Sequence, residues 1–203
     1  MFRNIVRAPN KLGLVIIIRH YHFELLNLKI GYIKHAALHP NSDKLYVSQI
    51  QLSNEDESVT KQVCSSLQQH IPREELEGKL VVVVDNMKKC KFRGEVSEAM
   101  IICGKDASEG IVQICRPVDG RISLIGKTVG LSGKPVAGEA TLRKIKPKEW
   151  DDISSRLYVG EENKVTYREE ESETEHILCV QGEGPGNQIP IVVDNLPISS
   201  AIR

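Results

Sequence analysis

The feature that most constrains the fold is a series of five short apolar or alternating runs close together in the chain. They read KIGYIKHAAL, LYVSQIQL, VTKQVCSSL, KLVVVVDN and AMIICG, and polar residues separate them, as is typical of strands. Between the third and fourth runs, Pro72 suits the first position of a short helix and Gly78 suits its end. Five strands with a helix at that point are the layout of an OB-fold barrel.

Composition sets limits on the core and on the chemistry. Aromatic residues make up only 4% of the 203 residues against 40% apolar residues in all, so the core must be aliphatic. The five cysteines are an odd number without a C-x-x-C pair or a recognisable metal spacing, which predicts reduced thiols in an intracellular protein. We expect no metal and no cofactor. His35 and His39 have the spacing of a metal pair on a helix, but their surroundings predict strand and turn. We therefore expect two histidines satisfied by the fold.

The composition of the chain changes beyond Ile111. A glycine-rich stretch is followed by the basic segment TLRKIKPKEW, an acidic loop over 161–175, and a strand, a glycine-rich loop and a strand. The short linker favours two tightly packed parts. We predict a mainly β protein with three regions: residues 1–24 as an extension of unknown role, residues 25–137 as the OB-fold domain, and residues 138–203 as an α+β extension packed on the barrel.

Formal charge is zero overall but is unevenly distributed. Residues 85–94 carry four positive charges and one negative charge, residues 141–150 carry the same, and residues 161–175 carry two positive and seven negative charges. The first two segments could attract a polyanion while the third repels it. Solvated charged faces of no special function are the alternative.

The first basic segment, NMKKCKFRGEVSEAM, has a pattern suited to a phosphate backbone. If it is extended, Lys89, Lys91 and Arg93 share one side while Cys90 and Phe92 anchor the other. Such a row can follow successive phosphates, and the fork of an arginine can hold one of them bidentately. Farther along, a glycine allows a turn, a serine offers a hydroxyl to phosphate or ribose, and a methionine offers a surface to a base or to the core.

Several linked motifs in one order resemble a known family, the tRNA-binding domain of the endothelial monocyte-activating polypeptide family. The stretches are LNLKIGYIKHAALHPNSDKLYVSQIQL, QQHIPREELEGKLVVVVDNMKKCKFRGEVSEAMIIC, KIKPKEWDDI and the final SSAIR. Family members occur at the carboxyl end of some methionyl- and tyrosyl-tRNA synthetases and in synthetase-associated cofactors. The resemblance covers roughly residues 25–203 and implies the long, eukaryote-type form, a monomer whose second half mimics a dimer interface.

The resemblance also implies which residues contact RNA. The matching positions are Asn86, Lys88, Lys89, Lys91, Arg93, Gly94, Ser97 and Met100. The chain departs from the family motif where Lys89 replaces a proline, Phe92 replaces a methionine and Asp85 replaces a small or neutral residue. We expect the first change to loosen the loop and add charge, and the last to offset one positive charge.

The function implied by the resemblance is non-catalytic: the module recognises the shape and phosphate backbone of tRNA and delivers it to an aminoacyl-tRNA synthetase in cis or in trans. A protein-interaction or cytokine-like signalling module of the same family is the alternative. An enzyme is disfavoured because no carboxylate accompanies a nucleophile or metal set, and GEGPG matches no phosphate-binding fingerprint.

We expect a cytoplasmic protein without a membrane span. The basic start, which has no acidic residue before Glu24, also fits an organelle-targeting peptide or an extra strand.

Overall fold

A computed structural model describes residues 6–8, 16–18, 22–135, 143–170, 172–184 and 186–203. Most of the predicted extension 1–24 and the predicted boundary at 137 lie outside the described residues. No helix in the described part of the chain is long and apolar enough to cross a membrane.

The described segments are mainly strands. The strands are β1 (Val6–Ala8), β2 (Ile16–Ile18), β3 (Leu28–Leu38), β4 (Tyr46–Gln51), β5 (Thr60–Ser65), β6 (Leu80–Val84), β7 (Cys90–Phe92), β8 (Glu95–Ser97), β9 (Met100–Ile101), β10 (Cys103–Lys105), β11 (Val112–Ile114), β12 (Arg116–Pro117), β13 (Val129–Leu131), β14 (Leu157–Val159), β15 (Val165–Arg168), β16 (Glu175–Gln181), β17 (Gln188–Val192) and β18 (Ala201–Ile202). The helices are α1 (Arg73–Leu76) and α2 (Pro147–Ser154), with 3-10 turns at Phe23–Leu25, Ile122–Leu124 and Glu161–Asn163.

The five predicted runs form the barrel sheet. Its strand order is β5-β4-β3-β6-β9, with every pair antiparallel. The short helix α1 lies between the third and fourth of these strands, one residue later than Pro72, and Gly78 follows it with a φ of 80° that favours glycine. The predicted mainly β class and the OB-type layout are confirmed.

Strand β6 explains how the two halves of the molecule fit together. All five of its residues are buried, whereas a strand with one solvent face would alternate. Val81 and Val83 belong to the core inside the barrel. Leu80, Val82 and Val84 belong to a second core, because successive side chains point to opposite faces. The unbroken LVVVV run thus serves two cores at once.

The second core joins the barrel to the C-terminal extension. Residues from the extension that fill it include Trp150, Ile153, Leu157 and Val165. Most extension strands belong to a nine-stranded sheet of the described residues, with order β11-β10-β18-β14-β15-β16-β17-β12 and β13 paired to β16. The extension therefore packs on the barrel as one body with it.

Two expectations for the extension change in detail. The predicted acidic loop over 161–175 contains a 3-10 turn and the strand β15, so only part of it is loop. Strands β16 and β17 pair directly, with Gln181 opposite Gln188, so the glycine-rich stretch between them is the connection of a hairpin.

Candidate nucleic-acid interface

The basic motif forms a hairpin at the edge of the barrel. Strands β7 and β8 pair antiparallel with Phe92 opposite Glu95, which leaves Arg93 and Gly94 as the two turn residues. Their φ angles are 47° and 106°, and positive values at both positions define the type I′ turn that suits the twist of a two-residue hairpin. Gly94 supplies this conformation without strain, whereas Arg93 adopts it at a cost of about 1 kcal/mol.

The turn is held down by the loop between β3 and β4. Asn41 and Arg93 bond reciprocally: the Arg93 guanidinium donates to the Asn41 carbonyl at 3.0 Å, and Asn41 Nδ2 donates to the Arg93 carbonyl at 3.1 Å. The buried His39 ring donates from Nε2 to the Phe92 carbonyl at 2.8 Å and accepts the Asn41 N–H at Nδ1 at 3.0 Å. A neutral ring with its proton on Nε2 satisfies both bonds. These contacts compensate for the strained arginine and fix the tip of the hairpin.

The base of the hairpin is fixed by Asn86. Its side chain accepts the Asn27 N–H at 3.0 Å and donates to the carbonyls of Leu25 and Arg143 at 2.9 Å and 3.2 Å. Its own carbonyl accepts the Ile145 N–H at 2.9 Å. Asn86 is only 4% exposed, so its side chain makes these bonds from a buried position. The residue ties the hairpin to both the barrel and the extension.

Of the four cations in the motif, two are partnered. Lys89 Nζ bonds Glu98 at 2.5 Å, and this hydrogen bond is the main cause of the lowered pKa of Glu98. Arg93 is partly used by its bond to Asn41. The exposed side chains of Lys88 and Lys91 make no hydrogen bond or ion pair with any described residue. Two cations of the motif therefore have no partner among the described residues, and the other two are bonded to the protein.

The predicted offset by Asp85 takes a different form. Its carboxylate forms an ion pair with Lys61 of β5, whose ammonium also donates to the Asp85 carbonyl at 3.0 Å. Asn27 donates to the same carboxylate at 3.3 Å. Asp85 is thus neutralised by Lys61 of the barrel sheet.

The predicted alternation of the motif is wrong in two respects. Arg93 lies in the turn instead of continuing the row of Lys89 and Lys91. Cys90 and Phe92 are exposed, with Phe92 at 42%, so they do not anchor the row from behind. Among the described strands β7 pairs only with β8, and all three of its residues are exposed.

Ser97 and Met100 lie at the inner end of the motif. The Ser97 hydroxyl donates to the Ala99 carbonyl and accepts the Cys64 N–H, both at 3.0 Å, and the residue is 3% exposed. Met100 is half-buried against the second core. The structure therefore places Lys88, Lys89, Lys91, Arg93 and Gly94 at the surface, and Asn86, Ser97 and Met100 in the support beneath it.

The two histidines of the H-x-x-x-H spacing have separate tasks. His35 pairs with Glu77 at 2.8 Å, while His39 holds the hairpin. The pKa of Glu77 is lowered, mainly because its carboxylate accepts a hydrogen bond from the backbone N–H of Ala36. Among the described residues no group of three His, Cys, Asp or Glu side chains could hold a metal.

The thiols are free, and burial lowers the reactivity of two of them. None of the five cysteines, all of which are described, forms a disulfide. Burial raises the pKa of Cys103 to about 12 and that of Cys115 well above its usual value. A protonated, buried thiol is a poor nucleophile.

Sequence reasoning missed the residues that position the hairpin. His39 and Asn41 contact it from about fifty residues away, which nothing in their local sequence signals, and Glu98, directly after β8, bonds Lys89. It also missed α2, although Pro147, Glu149 and the apolar pair Trp150 and Ile153 are the signals of a helix start and a buried face.

Comparison with known proteins identifies the same region. Residues 28–120 match the family described as putative tRNA binding domain. Over 143 residues the chain is 32% identical to aminoacyl tRNA synthase complex-interacting multifunctional protein 1 of Mus musculus, covering 70% of this chain and 44% of the relative. Over 159 residues it is 30% identical to tRNA-aminoacylation cofactor arc1 of Schizosaccharomyces pombe, covering 78% of this chain and 34% of the relative. The chain spans less than half the length of these curated relatives.

A solved structure shares the whole fold. The C-terminal domain of Plasmodium vivax p43 matches with a TM-score of 0.71 at 20% identity, covering 90% of this chain and 99% of that chain. The likeness extends through the C-terminal extension as well as the barrel. Residues 28–120, which contain the barrel strands and the basic hairpin, are therefore the part of the chain that matches the putative tRNA binding domain.

Proposed function

We propose that the chain is a non-catalytic tRNA-binding module that reads the shape and phosphate backbone of tRNA. The observation that carries the proposal is the hairpin of β7 and β8, held at both ends, with Lys88 and Lys91 free of any described partner. Fixed, unpaired cations attract phosphates without first breaking a bond inside the protein. Arg93 joins them, since its guanidinium has further N–H groups beyond the one bonded to Asn41.

Shape recognition follows from the geometry of RNA. The major groove of an A-form helix is too deep and narrow for side chains to read, so double-stranded regions are recognised through phosphates and 2′-hydroxyls. A rigid basic hairpin on a barrel rim is suited to that task. In this proposal Asn86, Gly94 and Ser97 set the geometry of the hairpin, and Lys89 contributes by exchanging Glu98 for a phosphate.

The module would deliver tRNA to an aminoacyl-tRNA synthetase, in cis or in trans. The names of the relatives point to synthetase complexes and to aminoacylation. Tethering a tRNA-binding module to an enzyme raises the local concentration of tRNA. A cytoplasmic location fits this role. We further propose that the extension takes the place of a second subunit, because it already covers the outer face of β6, so the chain is a monomer.

The direct test replaces the two free lysines. The variant K88A/K91A leaves the anchoring bonds of Arg93, His39 and Asn86 intact, so it should fold normally. We expect its affinity for several purified tRNAs, measured by gel shift at one fixed salt concentration, to fall about tenfold or more and by similar factors. Unchanged binding would contradict the proposal, and a loss confined to one tRNA would show base readout.

A further inference from the structure

A second basic surface lies directly beside the hairpin, on the C-terminal extension. The main chain of this segment touches Asn86 twice, through the Arg143 carbonyl at 3.2 Å and the Ile145 N–H at 2.9 Å. Lys144 lies between those two contacts. Lys88 is two residues beyond Asn86, which limits their Cα separation to about 7 Å. The fold thus brings together two basic segments that are more than fifty residues apart in the chain.

The second segment is held as firmly as the first. The Arg143 guanidinium bonds both oxygens of Glu149, at 2.7 Å and 3.1 Å, and Glu149 also accepts the Lys146 N–H at 2.9 Å. Ile145 and Trp150 are buried in the second core. The backbone on either side of the N-terminal end of α2 is therefore fixed by a buried carboxylate and by two apolar anchors.

Its lysines point out of this framework. Lys144, Lys146 and Lys148 are all exposed. The side chains of Lys144 and Lys148 make no hydrogen bond or ion pair with any residue in the described part of the chain. Glu149, the one carboxylate among residues 143–150, is buried and bonded to Arg143, so it is not available to bond Lys144 or Lys148. The segment presents unpaired cations in the same way as the hairpin.

We propose that Lys144, Lys146 and Lys148 form one continuous phosphate-binding surface with the hairpin, crossing from the barrel to the extension. This rests on the proposed function and extends it to a region outside residues 28–120. Asn86 sets the spacing between the two halves of the surface. A stiff polyanion such as folded RNA gains most from such a surface, because both halves are already in place when it binds.

The test compares two double variants with a matched control. K144A/K148A removes the two free lysines of the second segment, and K88A/K91A removes those of the hairpin. K79A/K105A is the control, because both lysines are exposed and Lys79 lies at the opposite end of β6, roughly 20 Å from Asn86 at about 3.3 Å per residue. Affinity for tRNA is measured by fluorescence anisotropy over a salt series, after thermal unfolding has shown that each variant is folded.

We expect K144A/K148A to weaken binding about tenfold and to make the log-log salt slope shallower by about 2, one unit for each lysine. The control should bind as the unaltered chain does. If K88A/K91A loses affinity and K144A/K148A does not, the composite surface is wrong while the proposed function stands. If neither variant loses affinity, the proposed function itself is wrong. Equal competition by polyglutamate and by tRNA, at equal charge concentration, would show an acidic-peptide site and would also overturn the proposal.

Discussion

Two hairpins of this protein use charge in opposite ways. In the acidic hairpin of β15 and β16, Arg168 lies opposite Glu175 and bonds it at 2.7 Å, while Lys134 forms an ion pair with Glu169. In the basic hairpin of β7 and β8, the lysines at positions 88 and 91 have no partner among the described residues. The first hairpin uses its cations within the fold, and the second leaves them available for a ligand.

The comparison shows why a count of charges does not locate a binding surface. A cation that already has a carboxylate must exchange it for a phosphate, whereas an unpaired one only releases counterions from the RNA. The same pairing weakens the repulsion expected from the acidic segment, because Glu162, Glu169 and Glu175 each have a basic partner. Pairing, more than formal charge, distinguishes the two hairpins.

The largest effect is expected at Asn86, which holds the basic hairpin without any charge. The variant N86A removes one acceptor and two donors in a buried site and takes these bonds away from the backbone groups of Leu25, Asn27 and Arg143. We expect the free energy of unfolding in urea to fall by about 2–4 kcal/mol. The control is N41A, because Asn41 is exposed and its loss should cost less than about 1 kcal/mol. Equal effects of the two changes would contradict this role.

Replacing one lysine of the basic hairpin, and one lysine that pairs with the acidic hairpin, tests the comparison itself. K91A should weaken tRNA binding about threefold to tenfold while leaving stability unchanged, because the side chain is exposed and has no partner in the described part of the chain. K134A removes the partner of Glu169, so it should lower the free energy of unfolding by about 1 kcal/mol and leave tRNA binding unchanged. Parallel binding and urea titrations measure both. The reverse pattern would invert the assignment of the two regions.

The stability of the protein should depend on pH through the paired carboxylate of the second basic segment. The Arg143 hydrogen bonds hold the pKa of Glu149 below its usual value of 4.5. A carboxyl whose pKa is lowered by folding stabilises the native state above its unfolded pKa, and that stabilisation is lost as the pH falls through the folded pKa. The unaltered chain should therefore be more stable than E149Q at pH 7, by about 1 kcal/mol. The difference should shrink below about pH 4; a constant difference would show that the charge plays no part.

The smallest effect is expected from freeing a cation that is now held. Glu98 bonds Lys89, so E98Q should release one positive charge in the basic hairpin. We expect tRNA binding to tighten about twofold to threefold and the salt slope to steepen by up to about one unit. E57Q is a suitable control, since Glu57 pairs with Lys34 on the exposed surface. Weaker binding of E98Q would show that Lys89 needs Glu98 to hold it in position.

The sequence predicted the barrel well because its signals are local. The β-branched runs, Pro72 and Gly78 each encode their own element, and those elements formed where the pattern placed them. An unbroken apolar run such as LVVVV is typical of a strand that is buried on both faces, but which core each valine enters depends on the extension. Helix α2 was not predicted, because the basic residues around it obscure the helical spacing of Trp150 and Ile153.

The sequence singled out the candidate site residues, but not which of them lie at the surface. Motif and charge singled out Lys88 and Lys91, which have no partner among the described residues. They could not show that Asn86 and Ser97 are buried, or that Asp85 is neutralised by Lys61. Those facts come from contacts between segments far apart in the chain, which depend on the completed fold.

The most direct test of the account is the salt dependence of tRNA binding by the unaltered chain. If three to five phosphates are contacted, a plot of log association constant against log salt should be linear with a slope of roughly −2 to −4. Duplex RNA should compete better than single-stranded RNA of the same length, because shape and backbone are what the surface reads. A slope near zero would contradict the claim that unpaired cations on a fixed basic surface carry the binding.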